Sequence, residues 1–308
     1  VRQQLRSKAY LENALAVNTL GIRDIFLRDP VPAIERYRRL LDAWRNKKEW
    51  QEDQSDLLLT ICKYYQNACF FSTVSPDIVH ADLNSLKGFD GLPPEKLRTF
   101  RETMFHHAFI LSLNGGKLNS ALRMIPVISS WMDKEEKHLS QAQVLPFLCN
   151  FMVAEFLSGH FAEANKHLNR ILQLPYRNVR VDIREFALML QPFVQYELDN
   201  TGLNEYLTRS RRRHFSKNRK THDFEMIVIK HIELLLRAGD AAQKKKVLQS
   251  FISSLEKISE SQSRAVPLLG LNEIRMWAIS RKNNIPLSAV FVGEVKKAHE
   301  RIDSDKSR

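Results

Sequence analysis

Apolar residues recur along this chain at spacings of three and four, the mark of helices with one buried face. After Gly159, Phe161, Ala164, Leu168, Ile171 and Leu172 line such a face; after Pro30, Ala33, Tyr37, Leu40, Leu41 and Trp44 do the same. Leu118, Ala121, Leu122, Ile125 and Ile128 repeat the pattern after Gly116, as do Val247, Phe251, Leu255 and Ile258 after Gly239. Each of these amphipathic B segments follows a first, A segment, and several A segments, such as 144–157 and 225–237, are apolar on most sides. A helix apolar all round is one enclosed by neighbours. Strands find no support: Val127 to Ser130 is the nearest candidate, and it lies inside a helical period that Pro126 is expected to kink by removing a backbone donor.

The segments are punctuated by Gly, Pro and Asn. Breaks fall at Asp29-Pro30, Thr73 to Pro76, Gly115-Gly116, Gly159, Gly202, Gly239 and Asn283-Asn284, with Gly88 to Pro94 as a loop between hairpins. Gly116, Gly159 and Gly202 are each 43 residues apart. A fixed period of this size marks a repeat architecture, in which each unit packs on its neighbours. The expectation is an all-α fold of about seven antiparallel helix hairpins forming a single domain over residues 1–308.

Around Gly159 the pattern resembles a known family. In tetratricopeptide repeats a small residue and an aromatic precede the turn glycine, and an aromatic and an alanine follow it. Ala154, Phe156, Gly159, Phe161 and Ala164 stand at those places. Gly116, Leu118 and Ala121 repeat the pattern in part, as do Asp29 and Ala33, and Leu174-Pro175 is similar to the usual repeat ending. The early Trp and Gly of the family's first helix are absent, and a period near 43 is longer than the family's and closer to HEAT-like repeats. Trp277-Ala278-Ile279-Ser280-Arg281-Lys282 with Pro286-Leu287 is similar to the last hairpin of large, uncharacterised bacterial repeat proteins. The resemblance implies a right-handed, TPR-like α-solenoid that acts as a scaffold, holding a protein or peptide on the concave face formed by its A helices.

Composition narrows the classes. No apolar run reaches the roughly 20 residues of a membrane span. Val1 to Leu5 has no secretory-signal pattern, and Cys62, Cys69 and Cys149 fall in apolar helical stretches without a paired spacing. A cytoplasmic protein with buried thiols is the expectation. No catalytic signature is recognised. Asn114-Gly115-Gly116-Lys117 continues into Leu118, not the hydroxyl residue of a phosphate-binding loop, and reads as a helix end. His106 and His107 are adjacent, hence about 100° apart on a helix, and no other His has metal-ligand spacing. No enzyme activity, metal or cofactor is expected.

Polar residues on A helices are the candidate groove. Lys63 and Asn67 share a helix face at i, i+4, and repeat-to-repeat register places them where some tetratricopeptide proteins carry a Lys/Asn pair for a peptide carboxylate. His106, Asn150, Gln195, Lys230 and Arg275 extend the same set, with Gln191 and His231 beside them. The net charge of +12, from 47 Lys and Arg against 35 Asp and Glu, admits an anionic partner. A run without acids, Arg209, Arg211, Arg212, Arg213, Lys217, Arg219 and Lys220, is the candidate anion patch, with Tyr206 and Phe215 available to stack on nucleic acid bases. Helix capping is the competing explanation of that run. Three readings stay open: a protein- or peptide-binding scaffold, a binder of nucleic acid or another anionic surface, and the ligand-sensing part of a larger bacterial regulator.

Overall fold

A computed structural model describes residues 12, 14–24, 30–45, 54–70, 93–175, 178–217, 223–261 and 268–306. Among the described residues the protein is helical throughout, without strands. It divides into two compact units, Val1–Gly115 and Gly116–Arg308.

In the first unit, helical residues 14–24 precede α1 (Pro30–Arg45), α2 (Ser55–Phe70) and α3 (Pro94–Asn114). The stripe anticipated after Pro30 is the buried face of α1, where Tyr37 and Trp44 are fully enclosed. The Tyr37 ring lies on Gly21, leaving no room there for a Cβ, and its hydroxyl donates to the Asn18 carbonyl at 3.2 Å. The carboxylate of Asp24, almost wholly buried, accepts from Arg23 and Arg36. Burial pushes its pKa up, and the two guanidiniums outweigh that and hold it below the usual range. Here α1 packs on α2 and α2 on α3. The expected break at Thr73 to Pro76 and most of the loop Gly88 to Pro94 lie outside the described residues.

The second unit comprises α4 (Leu118–Lys134), α5 (Gln141–Ser158), α6 (Phe161–Gln173), α7 (Val181–Glu197), α8 (Thr201–Lys217), α9 (Asp223–Arg237), α10 (Ala241–Ser261), α11 (Leu271–Asn283) and α12 (Leu287–Lys306), with a short 3-10 turn at Glu136–His138. Each of these helices packs on its successor wherever contact is close, and α7 also packs on α5 and α9. These are the A helices, and their near-continuous apolar sequence reflects neighbours on several sides. The last hairpin does more than extend the series, because α11 and α12 reach back to α5.

Helix ends follow local chemistry. Gly159 is left-handed at φ 80°, and the amide of His160 donates to the Glu155 carbonyl at 2.9 Å, closing a Schellman ending on α5. Asn284 does the same for α11, with Ile285 donating to Ser280 at 3.1 Å. Gly202 is not the break the sequence suggested. It lies inside α8, and the turn is made three residues earlier by Asp199 at φ 54°. Asp, with a short polar side chain, tolerates the left-handed region better than most residues. At Pro126 the chain stays helical through α4, and α5 and α7 likewise contain Pro146 and Pro192. Ser140 and Gln143 form a capping box at the start of α5. Arg184, buried in α7, donates to the carbonyls of Ile171 and Leu174 at 3.1 and 2.9 Å and so satisfies the end of α6.

A column of rings crosses this unit. His231 of α9 stacks on Phe251 of α10, with centroids 4.7 Å apart. Phe251 stacks on Phe193 of α7 at 6.2 Å, and Phe193 meets Trp277 of α11 edge-on at 4.7 Å. Phe193, Phe251 and Trp277 have no exposed surface. The indole Nε1 of Trp277 donates to the Glu197 carboxylate at 2.7 Å, and Arg281 closes an ion pair with the same group.

Two glycines separate backbone cost from packing cost. Gly159→Ala meets open space and loses only the left-handed preference, about 1–2 kcal/mol. Gly270, at φ 92°, lies against Phe186, and a Cβ there would come within 2.4 Å of the ring edge. Gly270→Ala is expected to cost about 1–3 kcal/mol more than Gly159→Ala, by overpacking. Thermal unfolding of both variants checks this, as a larger drop in midpoint for Gly270→Ala.

Candidate functional site

The sequence candidates for a groove fall in both units. Lys63, Asn67 and His106 belong to the first unit; Asn150, Gln195, Lys230 and Arg275 belong to the second. On α2, Lys63 is exposed and Asn67 half-buried, and α3 brings His106 and His107 to the same neighbourhood. The His107 Nδ1 lies 2.8 Å from Gln66 Oε1, and Gln66 is almost fully buried. Burial pushes the His107 pKa down to about 4, and the charges of His106 and Lys63 push the same way.

In the second unit several candidates are structural. Gln195 is buried, donates to Asn165 at 2.9 Å and accepts from Asn200 at 2.7 Å, so it ties α6 to the turn after α7. Arg275 pairs with Glu294 of α12. His231 is committed to the ring column and to the Ile227 carbonyl, 2.8 Å from its Nδ1. Asn150 is half-buried, and its Nδ2 is enclosed without a hydrogen-bond partner among the described residues. Lys230 alone of the set stands exposed in a cavity.

The basic run divides the same way. Arg211 turns inward and donates to Gln191 at 2.6 Å, which also accounts for Gln191. Arg209 sits 3.9 Å from Glu205 one turn back, and Arg212 pairs with Glu233 of α9. Arg213 is exposed with no side-chain partner among the described residues. Arg219 and Lys220 lie outside the described residues, as does the side chain of Lys217. Phe215 is buried, 3% exposed, and so is withdrawn from base stacking; Tyr206, 65% exposed, is not. Most of the described arginines in the run thus brace α8 against α7 and α9 or its own preceding turn.

What sequence reasoning did not assemble is a cleft of about 660 Å³ among α8, α9 and α10, open to solvent on one side. Its apolar surface comes from Met226 and Ile227 on α9 and Ile258 on α10. Lys230 on α9, Lys257 on α10 and Arg212 on α8 add cations to the lining, and Ser254 a hydroxyl. Neither Lys230 nor Lys257 makes an ion pair or hydrogen bond among the described residues. Met226 and Lys230 are i, i+4 on one helix, and Ser254, Lys257 and Ile258 share a face of the next. Each helix therefore contributes an apolar residue and a cation to one trough. Periodicity in 223–237 and 241–261 held this information, but only the rotation of the two helices shows which faces meet.

Cys62, Cys69 and Cys149 are buried and form no disulfide among the described residues, and burial pushes the Cys149 thiol up to about 12. Among the described residues no group of three His, Cys, Asp or Glu is placed to hold a metal, and no helix is long and apolar enough to cross a membrane. Comparison with protein-family models, with curated proteins and with solved structures gives no match to this chain.

The depressed His107 has a pH consequence. The unfolded chain binds that proton near pH 6.5 and the folded chain only near 4, so folding stability falls as pH drops through this window. The loss is about 3 kcal/mol at its fullest. Urea unfolding at pH 7 and pH 4.5 should show a smaller pH effect in His107→Gln than in the parent.

Proposed function

We propose that this chain is a non-enzymatic scaffold, built as a right-handed solenoid of helix hairpins resembling tetratricopeptide proteins, which binds a protein or peptide segment. The observation that carries the reading is the α8–α9–α10 cleft, with apolar side chains in its lining and two lysines that no group among the described residues neutralises. Convergent polar groups around an apolar concavity are what recognition sites in general present. Openness on one side favours a chain segment that continues beyond the cleft over a small molecule, which a site usually surrounds on most sides. The hairpin packing supports the repeat architecture: A helices lie on A helices at α5, α7 and α9.

Binding of nucleic acid or an anionic surface through 209–220 is the lesser reading. Arg209, Arg211 and Arg212 have partners within the fold, and a polyanion would compete with Glu205 and Glu233 for two of them. A ligand-sensing role in a larger regulator is compatible with the same cleft and has no separate observation in its favour.

The test is affinity capture from the source cell's lysate with the parent chain, Ile258→Asp and the exposed-lysine control Lys246→Glu, with and without nuclease. A discrete protein that survives nuclease, is retained by Lys246→Glu and falls about tenfold with Ile258→Asp is expected, since charge in a buried apolar contact costs more than 1 kcal/mol. Recovery of nucleic acid that disappears as salt is raised would replace this reading with the lesser one.

A further inference from the structure

We infer that the segment accepted by the α8–α9–α10 cleft is an acidic one, presenting an apolar side chain flanked by carboxylates. The inference rests on the scaffold reading and adds the chemistry of the partner.

The charge of the trough is one-sided. Arg212, Lys230 and Lys257 line it, and no carboxylate is among its described lining residues. Arg212 is already half-committed to Glu233, so among the described residues the uncompensated charge is that of Lys230 and Lys257. They stand on different helices, each beside apolar lining residues of its own: Met226 and Ile227 on α9, Ile258 on α10. A bound segment that buried an apolar anchor there would bring its neighbouring residues beside one lysine or the other. Carboxylates at those neighbours gain two pairings, whereas Lys or Arg there would meet like charge at the edge of a desolvated contact, which excludes wrong partners more strongly than it selects right ones.

The other anionic partner, a single-stranded nucleic acid, suits the trough less well. Such sites combine many phosphate contacts with aromatic platforms for the bases. This cleft has a methionine and two isoleucines, and no aromatic residue, among its described lining. An aliphatic lining that also carries two ammonium groups matches a Leu- or Ile-like anchor flanked by Asp or Glu side chains.

The experiment is selection of random-sequence displayed peptides on the full chain, followed by binding of the enriched peptides to variants. The parent should enrich sequences with an apolar residue flanked by Asp or Glu. These should weaken about tenfold on Lys230→Glu with Lys257→Glu, since each exposed pairing is worth up to about 1 kcal/mol and reversal also adds repulsion. Weakening should also follow as salt is raised. Lys230→Gln with Lys257→Gln, which removes charge without adding any, should lie between parent and reversal, and circular dichroism of both variants controls for folding. Enriched peptides that lose binding with Ile258→Asp but show no acidic bias, or no response to the lysine variants, would overturn the acidic-partner inference and leave the cleft as a binding site. Failure of any enriched peptide to respond to Ile258→Asp would overturn the cleft reading itself.

Discussion

The second unit depends on Phe193. Its ring lies parallel to Phe251 on one side and edge-on to Trp277 on the other, with His231 continuing the column beyond Phe251. Four helices from three different hairpins, α7, α9, α10 and α11, therefore share one packed element. Aromatic pairs in such geometry add about 0.5–1.5 kcal/mol each to what burial provides, and the rings here are fully enclosed. Glu197 extends the grip into polar territory, accepting from the Trp277 indole while paired to Arg281. Burial raises the pKa of that carboxyl, against the pull of Arg281, so the pair works at an enclosed position. This joint sets where the last hairpin lies, against α5 as well as α10.

Fixing α9 and α10 to the column also fixes the cleft. The faces of these helices that carry His231 and Phe251 are committed to the core, and the faces that carry Met226, Lys230, Lys257 and Ile258 are left to line the trough. On the α8 side, Arg211 and Arg212 bridge to Gln191 and Glu233. The basic run and the cleft are thus linked: arginines that read as a binding patch in the sequence largely hold one wall of a different concavity. Its open cations belong to α9 and α10.

Particular residues show what was legible. The hairpin at Gly159 was, because a left-handed helix ending is a local demand and Gly meets it most cheaply. The stripe after Pro30 was, since Ala33, Tyr37, Leu40, Leu41 and Trp44 can share only one face of a helix, and all five are buried. Asp199 was not, because an Asp adopts the left-handed conformation only where surrounding packing requires it, and nearby Gly202 offered a stronger signal. Gln195 and Arg275 show why groove candidates are hard to read from sequence: a polar side chain on an apolar helix has two explanations. One is a solvent-facing site, and the other is a buried partner, here Asn165, Asn200 and Glu294. Phe215 is the converse case: an aromatic beside arginines that packs inward.

The sequence by itself determined that the chain is helical, where most helices start and stop, and which stripe of each amphipathic helix is buried. Those properties come from backbone sterics and side-chain period, and they are fixed within a few turns of chain. Only the tertiary structure decided which exposed faces meet across a gap, which arginines face Glu or Gln and which face water, and that the last hairpin returns to α5. Such relations join residues tens of positions apart. They depend on how each helix is rotated about its axis when rings such as Phe193 and Trp277 find their places, and no local pattern carries that angle.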